Sequence, residues 1–163
     1  MKKLNFGCGT NILEGYDNID IQKGEGIIKS FDFDKFPYPI KDNTYDEILF
    51  ENTIEHLYKP EKALLELHRI CKSDAKIIIK VVYYNNKGAY TDMTHRSFFS
   101  ERSFVNFVNE VNVPDKQKMF ELVSLKLIPS KFGGIFPKQF RRRLSSILSG
   151  VIKLIHLELK VIK

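Results

Sequence analysis

A near-continuous apolar run at residues 75–84, AKIIIKVVYY, restricts the fold of this chain more than any other feature. Its β-branched residues are typical of a central strand that is buried on both faces of a sheet. A helical spacing of apolar residues runs from Pro60 to Cys71, before this strand, and a second one covers residues 100–111, after it. Because strands alternate with helices, the sequence predicts an α/β fold with a mostly parallel sheet.

The remaining apolar segments complete a seven-stranded, Rossmann-like arrangement. The last of them, residues 155–162, alternates apolar and polar residues, which predicts a half-buried, antiparallel last strand. A helix is expected at residues 140–152, with its apolar face covering the sheet or lying on a membrane surface. The other strands are predicted at residues 3–6, 16–21, 26–33, 46–50 and 120–128.

Positive charge is concentrated in the second part of the chain. Residues 1–95 carry 13 Lys or Arg and 15 Asp or Glu, whereas residues 96–163 carry 13 and 5. A cluster of this kind is typical either of a site for an anionic partner, such as nucleic acid or an anionic lipid surface, or of a solvated face. The densest cluster consists of Lys138, Arg141, Arg142 and Arg143.

Composition argues against several classes of protein. With 43% hydrophobic and 28% charged residues, the chain is typical of a globular protein rather than a disordered one. No stretch of 18 uncharged apolar residues occurs, so no transmembrane helix is expected, while peripheral membrane contact stays open. Cys8 and Cys71 form neither a disulfide framework nor a zinc pattern, which predicts a cytoplasmic location and no metal site.

Glycines and carboxylates follow several predicted strands, where parallel sheets bind their ligands. The first strand runs into NFGCGT at residues 5–10, and two glycines with one residue between them let a ligand approach the backbone closely. Asp20 ends the second strand, and a carboxylate there can accept two hydrogen bonds from a ribose diol. Only ten residues separate Gly9 from Asp20, which predicts a first helix shortened to about one turn.

This order of segments resembles the class I S-adenosylmethionine-dependent methyltransferases, especially the small members with GCG, FPYP and IEHL segments. The likeness is strongest in residues 35–57, KFPYPIKDNTYDEILFENTIEHL, and extends in order over about residues 3–128. It implies one methyltransferase domain over residues 1–163, in which 1–95 bind S-adenosyl-L-methionine and 96–163 form the basic, substrate-side half. The resemblance assigns cofactor contacts to Asn5, Gly7, Cys8, Gly9, Asp20, Asp32, Phe33 and Asn52.

Two features of the first loop bear on the cofactor. Asn5 stands where the family usually has an acidic residue, and it is expected to accept a hydrogen bond from the cofactor's amino group without charge attraction. A nicotinamide dinucleotide needs a third glycine and a helix N-terminus facing its pyrophosphate, but this chain has Asn11 and Ile12 there. Since S-adenosylmethionine has no phosphate, the short connection favours it.

Two histidines, His56 and His95, lie on loops that flank the expected cofactor segment. A histidine with an unperturbed pKa of about 6.5 can take a proton from a methyl acceptor, so both are candidate catalytic bases. Cys8 is expected to pack rather than react, and His68 to be solvated. Residues 83–99 are polar, aromatic and irregular, which is typical of a substrate lid. Its candidate substrate contacts are Tyr84, Asn85, Tyr90, Asp92, His95 and Arg96.

The sequence therefore predicts an S-adenosylmethionine-dependent methyltransferase that acts on an oxygen or nitrogen atom of a small-molecule or glycan acceptor. Two alternatives stay open at this level. One is a catalytically silent methyltransferase fold that only binds a partner. The other is a nucleic-acid methyltransferase that uses the basic half of the chain.

Overall fold

The computed structural model of the protein describes residues 1–112 and 118–163, which build one seven-stranded sheet with helices packed against it. The strands are β1 Lys3–Phe6, β2 Asp17–Asp20, β3 Lys29–Ser30, β4 Tyr45–Glu51, β5 Cys71–Val82, β6 Phe120–Pro129 and β7 Ile152–Val161. The helices are α1 Pro60–Ile70, α2 Gly88–Thr91, α3 Glu101–Val111 and α4 Lys138–Ser145. Across the sheet the strand order is β3-β2-β1-β4-β5-β7-β6.

Strand pairing confirms the predicted fold class. The pairs β1–β2, β1–β4, β2–β3 and β4–β5 are parallel. The last strand, β7, is antiparallel to both β5 and β6. The strand order reverses between β1 and β4, so a crevice opens at their carboxyl ends, where α/β sheets bind ligands.

β5 lies in the middle of the core, but it is less completely buried than its sequence predicts. Ile77, Ile79 and Val81 on one face are fully buried. On the other face Lys80 is partly exposed and forms an ion pair with Glu51 of β4. The strand therefore has one buried face and one half-buried face, since a lysine amine needs water or a carboxylate partner.

α1 begins at Pro60, as predicted, because the fixed φ of proline suits the first helical position. The helix ends at Ile70, before Cys71, which was expected on its apolar face. Cys71 is instead the first residue of β5 and pairs with Tyr45 of β4. A buried position at this point satisfies either periodicity, and the backbone pairing decides between them. The buried residues of α1 are Ala63, Leu64, Leu67 and Ile70.

The connection from β1 to β2 is shortened further than predicted. Residues 7–16, all of them described, contain turns and no helix. Two buried asparagines on paired strands hold this connection. Asn5 Nδ2 donates to Oδ1 of Asn18 (2.9 Å) and to the carbonyl oxygen of Asn11 (2.8 Å). The Asn18 side chain also bonds both the N–H and the carbonyl of Leu13 (3.0 Å each). These bonds satisfy main-chain groups that a helix would otherwise pair.

The prediction for the last helix is wrong in both length and packing. α4 ends at Ser145, and the chain enters β7 at Ile152 just after Gly150, whose φ of 79° favours glycine. Phe140 and Ile147, expected to cover the sheet, are 51% and 77% exposed. In the part of the chain that the structure describes, no helix combines the length and apolarity needed to cross a bilayer.

Candidate functional site

A cavity of about 270 Å³ lies beyond the carboxyl ends of β1, β2 and β4. The glycine loop after β1, the end of β2, the segment after β3 and the turn after β4 all meet there. The predicted site residues that line it are Gly7, Gly9, Asp20, Asp32, Phe33, Asn52 and His56. The other lining residues are Ile21, Asp34, Thr53 and Leu57.

The two glycines of the first loop have different surroundings. Gly7 has a φ of 73°, and a Cβ there would lie 2.3 Å from the Thr53 side chain. Close approach of this loop to the end of β4 therefore requires glycine. A Cβ on Gly9, whose φ is 52°, would meet nothing within 4 Å. The loop is thus packed at Gly7 and open at Gly9.

Asp20 is held by main-chain donors on both of its oxygens. Oδ2 accepts a hydrogen bond from the N–H of Gly9 (2.8 Å), and Oδ1 accepts one from the N–H of Gln22 (3.0 Å). Each carboxylate oxygen keeps a further lone pair, so Asp20 can still accept two hydroxyl donors from a ligand. An adjoining groove of about 720 Å³ shares Gly9 and Asp20 with the cavity and reaches Thr10 and Ile27.

The two aspartates after β3, Asp32 and Asp34, differ in how many hydrogen bonds their carboxylates already accept. Asp34 Oδ1 accepts hydrogen bonds from the N–H groups of Tyr58 (3.0 Å) and Lys59 (3.1 Å), which holds the turn after β4. Asp32 Oδ1 accepts one from the N–H of Asp34 (3.0 Å), and its Oδ2 lies 3.6 Å from Nζ of Lys35. The Asp32 side chain is 40% exposed, so it is the more available of the two.

An aromatic cluster fixes the segment that carries Asp32. The Phe33 ring lies 4.1 Å from that of Phe6, and the Phe6 ring lies 5.4 Å from that of Tyr38, between ring centroids. Tyr38 Oη donates to the carbonyl oxygen of Phe33 (2.9 Å), and burial raises the pKa of Tyr38. Because β3 has only two residues, this packing positions the segment.

The end of β4 contributes one predicted residue and one that the sequence analysis missed. Asn52 has a φ of 46°, in the left-handed region that asparagine tolerates better than most residues. Its main-chain N–H donates to the carbonyl oxygen of Lys80 (2.9 Å). The Oγ1 of Thr53 lies within hydrogen-bonding distance of the carbonyl oxygens of Glu51 (2.8 Å) and Gly7 (3.2 Å). The position of Thr53, two residues after the end of β4, was the available signal.

Two predicted cofactor contacts, Asn5 and Cys8, are not among the described residues that line the cavity. Asn5 is 3% exposed, and its side-chain amide is bonded within the first loop. Nδ2 of Asn5 thus positions the glycine loop, while the predicted cofactor contact, which would use Oδ1, stays a prediction. Burial, with a smaller contribution from the charge of Asp20, raises the pKa of the Cys8 thiol. The thiol form is thereby favoured, which suits a packing residue.

His56 and His95 come together at the side of the cavity. Their ring centroids are 4.8 Å apart in an edge-to-face arrangement. His56 Nδ1 lies 2.9 Å from Oγ1 of Thr94, which in turn lies 2.6 Å from Oδ1 of Asp92. His95 Nδ1 lies 2.9 Å from the carbonyl oxygen of Ala89. The structure thus places both candidate bases at one site, and their chemical role stays a prediction.

Glu55 is a buried carboxylate next to these histidines that the sequence analysis did not single out. It is 2% exposed, and its Oε2 has no hydrogen-bond partner among the described residues. Burial raises the pKa of Glu55, while the charges of His56 and His95 act in the opposite direction. The acidic residue before His56 was visible in the sequence, but its burial depends on the short 3₁₀ turn Ile54–His56.

Residues 83–99, predicted as a lid, are tied to that turn. The N–H groups of Arg96 (2.7 Å) and Ser97 (3.0 Å) both donate to the carbonyl oxygen of Glu55. The Arg96 guanidinium lies 5.0 Å from the ring centroid of Tyr58. The segment also contains the one-turn helix α2, so it is more regular than its sequence indicated.

The other predicted substrate contacts are spread over different surfaces. Asp92 and His95 cluster with His56 beside the cavity. Tyr84 lines a separate groove of about 460 Å³. Asn85 Nδ2 donates to a carbonyl oxygen at the end of α4 (2.6 Å), and Tyr90 is 63% exposed. Asp92 and His95 are therefore the members of this set placed to act together with the cavity.

His68 was expected to be solvated, but its ring is bonded and packed within the protein. Its Nε2 lies 2.9 Å from the carbonyl oxygen of Ile162, and its ring packs 5.2 Å from that of Phe120. Burial lowers the pKa of His68. This histidine joins α1 to the edge of the sheet and lies outside the cavity.

Comparison with known proteins bears on the family. Residues 18–79 match a family model described as a methyltransferase domain. An uncharacterized protein of Methanocaldococcus jannaschii is 29% identical over 161 residues, covering 92% of this chain and 66% of the relative. The chain therefore spans just under two-thirds of that relative's length.

Solved structures share the fold at low sequence identity. An S-adenosylmethionine-dependent methyltransferase from Archaeoglobus fulgidus superposes with a TM-score of 0.68 at 14% identity, covering 98% of this chain and 85% of that one. The [4+2]-cyclase SpnF superposes with a TM-score of 0.66 at 14% identity, covering 99% and 74%. At these identities the likeness shows the fold alone, and the two names denote different reactions, so the fold does not specify the chemistry.

The family match and the fold confirm the resemblance to class I S-adenosylmethionine-dependent methyltransferases. The matched residues begin inside β2 and end inside β5. They include Asp20, Asp32 and His56 and leave out the glycine loop. For the loop, the correspondence rests on strand order and on its place at the carboxyl end of β1.

Proposed function

We propose that this protein is an S-adenosylmethionine-dependent methyltransferase that transfers a methyl group to an oxygen or nitrogen atom of a small-molecule or glycan acceptor. The proposal rests above all on one observation: Gly7, Asp20 and Asp32, from three separate segments, share a cavity with His56. The family match and the fold support it. We also propose that the protein acts in the cytoplasm, since Cys8 and Cys71 are free.

The charge of the cavity favours a cationic cofactor over a phosphate-bearing one. Asp20, Asp32 and Asp34 line it, and none of its described lining residues is a lysine or an arginine. S-adenosylmethionine carries a sulfonium and an ammonium and no phosphate, whereas a pyrophosphate would be repelled. The described link from β1 to β2 also lacks the helix N-terminus that binds a pyrophosphate.

The lining residues have separate roles in this proposal. Asp20 accepts hydrogen bonds from the ribose hydroxyls, through the lone pairs that its main-chain donors leave free. Asp32 and the main chain of Phe33 contact the adenine, and Gly9 and Asn52 flank the methionine part. The bound cofactor supplies an activated methyl group, so the protein's main task is to position the acceptor and exclude water.

His56 and His95 are the proposed bases for the acceptor proton. Each ring has its Nδ1 at 2.9 Å from an oxygen, of Thr94 or Ala89, which leaves Nε2 for the acceptor. Loss of a general base typically slows a reaction by about 10²–10⁴-fold. Single-turnover methyl transfer by His56→Gln and His95→Gln measures this effect, and unchanged rates in both variants would remove the base role.

Cofactor binding is tested first, by thermal melting with S-adenosylhomocysteine. A ligand at 100 times its dissociation constant adds about 2.7 kcal/mol, which raises the melting temperature of a domain of this size by roughly 5–10 °C. Asp20→Asn is expected to lose most of the shift. Glu61→Gln, an acidic residue on α1 away from the cavity, is the matched control and retains it.

The melting experiment also distinguishes an active methyltransferase from a catalytically silent methyltransferase fold. Absence of any shift at millimolar S-adenosylhomocysteine would contradict the proposal and favour a methyltransferase fold that only binds a partner. A shift without methyl transfer to any acceptor in a screen with labelled methyl donor would leave a cofactor-binding protein without this activity.

A second candidate function, contact with an anionic membrane surface, is favoured by residues 131–148. Apolar side chains are exposed there beside cations, although the sequence predicted a helix face covering the sheet. Arg141 and Arg142 are bonded within the protein, to the Phe136 carbonyl and to Glu101. The exposed apolar residues are Phe132, Ile135, Phe140, Ile147 and Leu148, and the exposed cations beside them are Lys131, Lys138 and Arg143. This combination suits contact with a membrane surface better than a nucleic-acid site, which needs no aliphatic side chains.

Sedimentation with vesicles tests this second function. The protein is expected to bind vesicles of phosphatidylglycerol and phosphatidylcholine but not vesicles of phosphatidylcholine alone. The double variant Phe140→Ser, Ile147→Ser is expected to lose binding, whereas Val123→Ser, at an exposed position on β6, retains it. Salt-dependent RNA binding that is unaffected by the double variant would instead support the nucleic-acid alternative.

A further inference from the structure

A cluster of His56, Asp92 and His95 has the composition of a metal site. One possible ligand atom from each side chain lies within 4.8 Å of the other two. His56 belongs to the turn after β4, whereas Asp92 and His95 follow α2, so the tertiary fold alone brings them together. Two imidazoles and one carboxylate are a donor set that suits first-row divalent ions such as Zn²⁺.

The hydrogen bond of His95 determines which of its ring nitrogens is free. His95 Nδ1 lies 2.9 Å from the carbonyl oxygen of Ala89. A carbonyl oxygen only accepts hydrogen bonds, so Nδ1 carries the proton and Nε2 keeps its lone pair. Metal-binding histidines commonly have their second nitrogen bonded to a backbone carbonyl in this way.

The same reasoning applies to His56 through Thr94. The Thr94 hydroxyl lies 2.6 Å from Oδ1 of Asp92, and because a carboxylate accepts, the hydroxyl donates its one proton there. The hydroxyl oxygen then accepts from Nδ1 of His56, at 2.9 Å. His56 is therefore also protonated on Nδ1, and its Nε2 lone pair is free.

Asp92 keeps one oxygen available. Its Oδ1 accepts from both the N–H (2.8 Å) and the hydroxyl (2.6 Å) of Thr94. These two bonds orient the carboxylate and leave Oδ2 for another partner. Thr94 thus orients two ligands at once, as residues outside the ligand set of metal sites do.

Glu55 is a second, independent observation that points to a cation here. This carboxylate is 2% exposed, and its Oε2 has no hydrogen-bond partner among the described residues. Glu55 directly precedes His56 in the short 3₁₀ turn Ile54–His56. A buried carboxylate oxygen without a partner is costly, and a nearby divalent ion would offset that cost.

We propose that Nε2 of His56, Nε2 of His95 and Oδ2 of Asp92 bind one divalent transition-metal ion. In tetrahedral sites with bonds of about 2.0–2.1 Å, neighbouring ligand atoms lie roughly 3.3 Å apart. Each of the three side chains has one possible ligand atom within 4.8 Å of the others, so the most widely separated of them have to move closer together when an ion binds. Three protein ligands leave a coordination position open for water or for an acceptor oxygen.

Metal binding at this site does not depend on the proposed function, whereas the substrate class inferred from it rests on that function. An acceptor oxygen bound at the open position would lie beside the cavity that His56 lines, and a metal lowers the pKa of an oxygen ligand. A histidine lone pair that binds a metal no longer takes a proton, so the ion would replace the histidines in the base role. The substrate class that follows is an acceptor with an ionisable hydroxyl group.

Metal binding is measured on the untagged, chelator-treated chain by equilibrium dialysis against ZnCl₂, and independently by visible absorption of added Co²⁺. One Zn²⁺ per chain is expected. His95→Gln and Asp92→Asn are each expected to weaken binding by at least about tenfold, and Thr94→Val by about 10–100-fold. An effect of Thr94, which is not itself a ligand, distinguishes a built site from casual binding by surface histidines.

His156→Gln, a histidine on β7, is the matched control and is expected to keep full binding. Melting each variant in chelator verifies that it is folded. Binding below one Zn²⁺ per chain, or an equal loss in His156→Gln, would overturn the metal site. Because the readout is bound metal, that outcome leaves methyl transfer standing, and absence of cofactor binding in the melting experiment leaves the metal site standing.

Discussion

Two regions of the molecule differ in how their side chains are bonded: the cavity at the carboxyl ends of β1 and β4, and the surface at residues 131–148. At the cavity, carboxylates are tied to main-chain N–H groups, as Asp20 is to Gly9 and Asp34 is to Tyr58. At the 131–148 surface, α4 buries Ser145 and packs Leu144 against the core, whereas Phe140 faces solvent. One region has its polar groups bonded in advance, whereas the other has apolar groups left uncovered.

This difference separates two ways of preparing for a partner. A cavity whose walls are already hydrogen-bonded loses little conformational freedom when a ligand enters, so it suits a small ligand of fixed shape. Burial of an exposed apolar patch removes its area from water and so lowers the free energy. Such a patch beside cations therefore suits binding to a broad partner surface. The predictions below test whether stability is in fact concentrated in the first region.

The largest effect is expected for Gly7→Ala. A Cβ at this position would lie 2.3 Å from Thr53, and the φ of 73° is unfavourable for alanine. Overpacking and left-handed strain together are expected to cost about 3 kcal/mol, measured by urea denaturation. Gly9→Ala has similar strain but open space and should cost only about 1 kcal/mol; equal losses in the two variants would contradict the packing argument.

A smaller effect is expected for Asn5→Asp, which restores the acidic residue usual in the family. A carboxylate at position 5 would face the Oδ1 of Asn18 and the carbonyl of Asn11, where the amide now donates. Loss of these bonds in a buried site should cost about 1–3 kcal/mol. The substitution should not tighten S-adenosylhomocysteine binding. Asn11→Asp, at an exposed side chain, is the control. Tighter binding in Asn5→Asp would indicate that residue 5 contacts the cofactor directly.

His68 is a partly buried polar group outside the cavity, and its contribution to stability can be measured from the pH dependence of unfolding. Burial lowers its pKa in the folded state, so the unfolded chain binds its proton more readily. Stability should therefore fall as pH drops below the unfolded value of about 6.5. His68→Gln should flatten this dependence in melting scans between pH 7 and 5. A profile identical to that of the unsubstituted protein would show that His68 does not contribute.

The smallest effect is expected at the 131–148 surface. Phe140→Ser and Ile147→Ser remove exposed apolar side chains and should change the free energy of unfolding by less than about 0.5 kcal/mol. Phe104→Ala, in the fully buried part of α3, should cost about 3–5 kcal/mol in the same assay. A loss of more than 2 kcal/mol at Phe140 would mean that this surface is part of the core after all.

The limits of sequence reasoning are clearest at α4. Apolar residues continue at helical spacing to Ile152, yet the helix ends at Ser145. Ile152 pairs with Pro129 of β6, and this pairing, preceded by the left-handed turn at Gly150, outweighs the local pattern. Spacing reports which side chains could share a face, whereas hydrogen bonds to a distant strand decide the backbone.

At the candidate site, too, some residues could be predicted from the sequence and others could not. Asp20, Asp32 and His56 were found because they follow strands, and the ends of parallel strands meet at one edge. The buried role of Asn5 and the approach of Asp92 to His56 were missed. Each depends on atoms from two segments reaching hydrogen-bonding distance, which no spacing along the chain encodes.

The amino-acid sequence by itself determined the α/β fold class and the strand-end residues that line the cavity, because these follow from periodicity and from the positions of glycines and carboxylates. The cofactor was implied by the family resemblance and remains a proposal. The tertiary structure decided which polar groups are already bonded and which stay free. It also placed a carboxylate and two histidines together beside the cavity. The physical reason is that hydrogen bonds and ligand sets depend on distances of a few ångströms between remote segments, and packing alone sets those distances.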